Sequence, residues 1–489
     1  MVILLLGILL LGAQSGLLAQ EPELPMGLRE EPAEETGVGE PSLPPGLSPE
    51  APPETEEPRL PEGLEAEPGP EAEAAPAEGE RERLPDWLAL NGFWEIRGGV
   101  RTQRDDHEKD ASIGETRLQL ETEAWSEQIT LKLTTDLLYD PVLDHHSVNL
   151  ERGEGCFDLR EAWVRLSPVS FMDLKVGRQI LTWGTGDLLF LNDLFPKAWQ
   201  SFFIGRDEEY LKAPSDAIKL SLFGDLANLD VVLTPRFDVD RFIQGRRLSY
   251  YNQMLRGRAG RDAVVDASIP NEWFRDHEWA ARLSKTIDGY ELAAYGYWGY
   301  WKSPGGMDLL SQKATFPRLS VYGASARGQI AGGIGNVEAA YYDSREDRDG
   351  NEPFTNNGQF RFLAGYEREL PEITSDLTLG LQYYLEWMTD YGAYRRSLWP
   401  IVPAADERRH VVTFRVTRLL LNQNLRLSLF TYYSPSDSDA YMRPNISYKI
   451  DDHWTVEFGG NVFLGNDDHT FFNQFARNTN VYAAMRYGF

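Results

Sequence analysis

The sequence predicts an all-β fold: a transmembrane antiparallel β-barrel of about 18 strands, with 16 as the alternative. Three observations predict it: alternation of apolar and polar residues with a period of two, breaks that alternate between short and long, and an aromatic strand at the carboxyl end.

The chain has 489 residues, a formal net charge of -28, 42% hydrophobic and 12% aromatic residues, one cysteine, and a mean hydropathy of -0.42. After the amino terminus it holds no apolar run long enough for a helical span, which excludes a helical membrane bundle. Cys156 alone cannot close an intrachain disulfide or furnish a zinc or iron–sulfur site, so neither a cofactor nor a metal is expected. The acidic balance argues against a nucleic-acid partner, which would need clustered Lys and Arg for its phosphates.

Met1 to Ala19 reads as a secretory signal, rich in Leu, Ile and Val with a small residue for cleavage after Ala19; an uncleaved helical anchor is the rival reading. Residues 20–85 follow as an acidic, Pro-rich linker. Between Glu21 and Arg83 there are 19 Glu and 14 Pro against 4 Arg and no aromatic residue. Such a segment cannot bury enough apolar surface to offset chain entropy, so disorder with polyproline character is expected. More than half of the net negative charge therefore lies in this periplasmic tail. Leu24-Pro25-Met26-Gly27-Leu28 recurs at Leu43–Leu47 and Leu60–Leu64, as a docking motif for a periplasmic partner or a spacer grown by duplication.

Residues 86–489 carry the strands. Thr116 to Ala124 has one apolar or neutral parity and one holding Arg117, Gln119, Glu121 and Glu123. Ile129 to Leu137, Leu377 to Trp387 and Leu425 to Tyr433 repeat the pattern. Short breaks fall at 126–128, 168–171, 224–228, 288–289, 329–332, 371–375, 422–424 and 451–453. Long ones fall at 104–113, 140–155, 184–215, 237–277, 302–317, 344–358, 388–407, 435–440 and 466–476. Tight turns at one end, longer loops at the other and strands of about ten residues are the pattern of an outer-membrane barrel. Val481, Ala483, Met485, Tyr487 and Phe489 share a parity and close the chain; Tyr487 and Phe489 are the candidate signal for the barrel assembly machinery. Trp94, Trp125, Tyr139, Trp387, Tyr433 and Trp454 sit near strand ends, where interfacial aromatic girdles belong.

With the apolar parity toward lipid, the other parity lines the lumen. Its candidates are Arg97, Arg101, Lys132, Asp136, Arg361, Glu386, Arg415, Arg426, Arg443 and Arg486, with an arginine lean toward the carboxyl half that would favour anions. A mixed wall that merely keeps the lumen rigid and hydrated is the plainer reading. The third long loop carries Phe190, Phe195, Trp199, Phe202 and Phe203, too much apolar surface to leave in water. It is expected to fold inward, with Trp183, Asp187, Asp193, Arg206, Asp207 and Glu208 at a constriction. The fourth loop concentrates Arg241, Arg246, Arg247, Arg256, Arg258 and Arg261, a patch for an anionic solute or for lipopolysaccharide phosphates.

Leu159-Arg160-Glu161-Ala162-Trp163-Val164-Arg165-Leu166, then Leu174-Lys175-Val176-Gly177-Arg178-Gln179-Ile180-Leu181-Thr182-Trp183-Gly184, resembles the hairpin of porin-like outer-membrane families, the alginate-export-like barrels and a related uncharacterised porin family among them. The resemblance implies a barrel that passes solutes or an anionic polysaccharide, with Arg178, Gln179, Trp183 and Gly184 bracing hairpin and loop. The long tail and the Trp-Gly-Thr-Gly-Asp loop depart from that pattern, so no substrate is carried over.

Catalysis is not expected. Asp144-His145-His146, His107 and His469 have no signature around them. The sequence thus points to an outer-membrane, porin-like channel for passive or weakly selective passage of small hydrophilic solutes, anionic ones included. Outer-membrane lipid and lipopolysaccharide are its expected surroundings. The alternatives are an export channel for an anionic polysaccharide and a structural envelope barrel tethered by its tail.

Overall fold

The computed structural model describes residues 85–489 except 145 and 401. The signal, the linker and its repeats, and His145 lie outside the described residues.

In chain order the strands are Leu88–Arg101 (β1), Ala111–Trp125 (β2), Ile129–Tyr139 (β3), Phe157–Val169 (β4), Met172–Ile180 (β5), Pro214–Leu222 (β6) and Asn228–Thr234 (β7). A small loop hairpin, Tyr250–Asn252 (β8) and Gly257–Ala259 (β9), precedes Glu278–Ile287 (β10) and Tyr290–Tyr300 (β11). A second, Gly306–Asp308 (β12) and Lys313–Thr315 (β13), precedes Arg318–Ile330 (β14), Gly333–Ser344 (β15), Gln359–Glu369 (β16), Leu377–Met388 (β17) and Arg408–Leu420 (β18). Leu425–Ser434 (β19), Asp439–Lys449 (β20), Trp454–Leu464 (β21) and Asn480–Gly488 (β22) complete the wall. Without the two hairpins the wall is one 18-stranded sheet of antiparallel neighbours. It closes on itself because β1 pairs with both β2 and β22, with Trp94 opposite Tyr487 and Glu95 opposite Arg486. No strand edge is left open, which is what lets a sheet sit in hydrocarbon with its main-chain groups satisfied.

The turn rhythm is realised as all eight short turns at one end and nine connections at the other. One of the nine differs from expectation: between β19 and β20 only residues 435–438 intervene, a tight turn in which Ser434 Oγ and Asp437 hold each other. The period of two decides the faces. Leu90, Ile96, Leu131, Leu133, Leu137, Leu283, Leu292, Val337, Leu381, Phe458 and Met485 are exposed on the outside of the wall. Arg97, Glu115, Arg117, Asp136, Glu338 and Arg443 are buried on its inside. Charges on the outer face would each cost roughly 2 to 4 kcal/mol at the middle of a bilayer. Their confinement to the inner face makes this a barrel of the membrane-spanning type.

The inner face is a charge lattice read across neighbouring strands. Arg97 stands opposite Glu115 and next to Glu95, which in turn meets Arg486. Arg117 joins Glu115 and Asp136. Such pairs stabilise little in water but become expensive to break once buried.

Candidate functional site

The site is the lumen with the loop that crosses it. Residues 181–213, between β5 and β6, leave the wall and turn inward. The physical reason is the one the composition suggests: Leu191, Phe195, Phe202, Phe203, Ile204 and Leu211 are almost fully buried, and what covers them is the inner wall and the outer loops. Each such side chain contributes roughly 1.5 to 3 kcal/mol on leaving water. Phe203 sits edge-on to Tyr441 at 5.1 Å and to Phe463 at 5.3 Å, and Tyr441 stacks on Phe463 at 4.5 Å. The short helix Trp199–Ile204 ends at Gly205 in the left-handed conformation, φ 87°. A Cβ there would lie 2.3 Å from the Tyr482 ring, so both backbone shape and close approach require glycine. Arg97 Nη1 donates to the Gly205 carbonyl at 2.7 Å, tying this helix end to β1.

Polar latches fix the rest of the loop. Glu338 of β15, 1% exposed, accepts from Thr185 N, from Thr185 Oγ1 at 2.8 Å, from Gly186 N at 2.9 Å and from Asn192 Nδ2 at 2.8 Å. Gln382 of β17 accepts from Asp187 N and donates to Asp187 O, both at 2.8 Å. Tyr342 and Tyr432 donate their hydroxyls to the Leu191 and Leu188 carbonyls. On the returning limb Arg206 pairs with Glu115, and the Tyr210 ring lies between the Arg117 and Arg160 guanidiniums at 4.2 and 4.4 Å.

The candidate residues fall into three groups. Arg415, Arg443 and Arg486 project from β18, β20 and β22 toward the loop, which meets them with carboxylates. Asp187 binds Arg415 through both oxygens at 2.5 and 2.9 Å, and Glu208 lies 3.5 Å from Arg415 and 3.3 Å from Arg443. Asp207 and Glu209 lie 3.7 Å from Arg486. Those four carboxylates are 37 to 47% exposed, so this is where loop and open lumen meet. A second group is buried: Arg97 and Asp136 in the wall, Arg101 under the outer loops, and Asp193 within the third loop itself, paired with Lys197 at 2.9 Å. Trp183 packs edge-on to Phe195 at 4.9 Å, away from the four carboxylates. In a third group, Lys132 bridges Glu121 and Glu161, Arg426 is exposed on β19, and Arg361 stacks over Tyr342 at 4.0 Å with Glu386 at 3.6 Å. Arg178 and Gln179 bind the Leu159 and Ala217 carbonyls, within their hairpin and its neighbour. Tyr487 lies against Trp454 at 4.9 Å, and the Phe489 main chain pairs with Gly92.

Sequence reading missed Glu338, Tyr210 and Glu209. It also treated the fourth-loop arginines as open to solute. Arg241 is clamped by Asp158 at 2.7 and 2.8 Å, Arg247 by Asp140 at 2.6 Å, Arg258 by Asp468, and Arg261 by Glu108. This loop folds over the barrel mouth as well, placing Phe237, Phe242 and Leu248 under cover. The third loop and the outer loops together line a half-open cavity of about 1260 Å³, with Phe190, Trp199, Tyr251, Trp301, Arg361 and Trp399 among its walls.

Two outer-loop carboxyls respond to this crowding. Burial pushes Glu108 up to about 7 against the pull of Arg261, and pushes Asp238 up to about 7 despite Lys302 nearby. A carboxyl whose folded value lies above its unfolded one stabilises the fold fully below the unfolded value, and that contribution is lost as pH rises through about 7. Residues 235–277 should accordingly show more protection from hydrogen exchange, corrected for intrinsic rates, at pH 5.5 than at pH 8, with Asp238→Asn flattening the difference. Equal protection at both pH values would refute this.

No family model matches the chain, and no curated protein matches it. Among solved structures it is similar to Acinetobacter baumannii OccAB1, at 10% identity over 84% of this chain and 99% of that one, with a TM-score of 0.49. It is also similar to Pseudomonas aeruginosa OccD3 (OpdP), at 10% identity over 83% and 91% with a TM-score of 0.48. A third likeness is to a triple mutant of Rhodopseudomonas blastica porin, at 11% identity over 82% and 100%, with a TM-score of 0.37. The alginate-export-like resemblance of the β4–β5 hairpin rests on its residues alone.

Proposed function

We propose that the protein is an outer-membrane, porin-like channel for passive, weakly selective passage of small hydrophilic solutes. The observation that carries this reading is the third loop: it narrows a closed barrel from within and presents four half-exposed carboxylates beside Arg415, Arg443 and Arg486. A solute crossing there meets both signs of charge on a hydrated surface, which suits small polar molecules and disfavours strong ionic selection. Anion preference belongs to this reading only in its weak form, because the arginines already face carboxylates. An export path for an anionic polymer would need a continuous unmatched basic track. Lipopolysaccharide around the barrel, the assembly machinery at the Tyr487–Phe489 end and a periplasmic partner for the tail complete the proposal.

Planar-bilayer recording of the whole chain, and of a variant lacking residues 20–85, tests it. Discrete conductance steps in both are expected. Their absence would sink the channel and leave a structural barrel plugged by its third loop. Block by an added polyanion but not by neutral sugar would favour export instead.

A further inference from the structure

The loop between β15 and β16 contains Asp347-Arg348-Asp349-Gly350-Asn351-Glu352. Oxygen-bearing side chains at the first, third and fifth positions of a tight turn are the opening of a calcium-binding loop, where alternate side chains converge on one ion. The sixth position here is Glu352 rather than the usual glycine; the left-handed residue is Gly350, with φ 67°.

What lifts this above a pattern is an imbalance in the structure. Asp347 is 3% exposed. Its Oδ1 accepts the main-chain N–H groups of Asn351 and Glu352 at 2.8 and 3.0 Å, whereas its Oδ2 is buried and has no partner. The neighbouring cation does not serve it, because Arg348 is engaged by both oxygens of Asp343. An ionised oxygen withdrawn from water without a donor is costly, and such groups are paired or bind metal. A second buried side chain points at the same turn from outside it. Asn357, also 3% exposed, has an amide nitrogen without a partner, 2.8 Å from where a Cβ on Gly350 would stand. Amide oxygen and nitrogen exchange places by a flip, so this position can present an oxygen to the turn.

We propose that the Asp347–Asn351 turn is a calcium site, held by Asp347 Oδ2, the Asp349 carboxylate and the Asn351 amide oxygen, with Asn357 completing it from β16's side of the loop. Among the described residues no three His, Cys, Asp or Glu side chains gather as a metal cluster, so the donor set is two carboxylates supplemented by neutral oxygens. A hard, weakly demanding cation suits that set, and zinc does not. The segment just beyond, Pro353 to Asn357, lines the outer cavity, and Phe354 packs on Trp399 at 5.0 Å; an ion at the turn would stiffen that wall. The site stands whether or not the barrel conducts.

The test is calorimetric titration of the purified, lipopolysaccharide-free whole chain with calcium chloride. One ion should bind with a dissociation constant on the order of 10⁻⁴ to 10⁻³ M, as in extracellular calcium modules, and magnesium more weakly. Asp349→Ala and Asn351→Ala, whose side chains are exposed, should each weaken binding by about tenfold or more. Calcium should also slow hydrogen exchange in residues 353–357 of the wild type and not of the double variant. No saturable uptake up to about 10 mM, ten times the weak end of that range, would overturn the proposal. So would uptake that is the same in the wild type and the double variant.

Discussion

Glu338→Ala should release the first limb of the third loop, visible as faster hydrogen exchange in residues 183–193 and as larger, noisier single-channel currents. Glu338 is a buried carboxylate with no guanidinium beside it; its charge is spread over four donors from Thr185, Gly186 and Asn192. Alanine removes every Glu338 acceptor at once and leaves the main-chain N–H groups of Thr185 and Gly186 without partners, while the Thr185 hydroxyl keeps only its bond from Asn336 and the Asn192 amide only a long one to the Ala324 carbonyl. Unmade bonds of buried groups cost about 1 to 3 kcal/mol each. That is comparable with what one or two buried aromatic side chains of the loop contribute. The limb should therefore detach while the Phe202–Phe203 anchor holds. Glu338→Gln should be far milder. Its remaining oxygen still serves Thr185 and Gly186, and Asn192, whose Oδ1 has no partner, can flip to accept from the new amide. Should exchange and currents be unchanged in Glu338→Ala, Glu338 is not the latch.

How much of this was legible beforehand follows from the range over which each signal acts. The wall is local: a period of two sets the faces, and turn residues set the register, so 18 strands and their orientation can be read from neighbours in sequence. Even the inward third loop is a local inference, since five aromatics in one connector must be covered. Its mooring is not local. Asp187 finds Arg415 across 228 positions, Thr185 finds Glu338 across 153, and Arg97 finds Glu457 across 360. Nothing in the surroundings of Glu338, an Ala- and Tyr-rich strand, distinguishes it from any other inward carboxylate. For the same reason the fourth-loop arginines read as free cations, whereas Asp140, Asp158 and Glu108 neutralise three of them from other loops and strands.

That neutralisation leads to the second large effect. The combined variant Asp187→Asn, Asp207→Asn, Glu208→Gln and Glu209→Gln should turn a weakly selective lumen into an anion-preferring one. The wild-type row places three guanidiniums of β18, β20 and β22 against four carboxylates, so the field a mobile ion meets is largely cancelled. The amides keep the size of the side chains and leave the Gln382 bonds to the Asp187 main chain, so the loop should stay in place. Four negative charges are nevertheless removed from a cleft with low-dielectric walls, where an unopposed charge can raise the local concentration of counter-ions about tenfold or more. Reversal potentials across a potassium chloride gradient should move toward chloride by a corresponding permeability ratio. The shift should be large near 0.1 M, where the screening length is about 10 Å, and nearly vanish at 1 M, where it is about 3 Å. Asp187→Asn alone should give a fraction of it, because Arg415 keeps Glu208 at 3.5 Å. A reversal potential that stays put at low salt would mean that permeating ions do not pass this row, and the route through the barrel would have to run along the Lys132, Glu121 and Glu161 side of the wall instead.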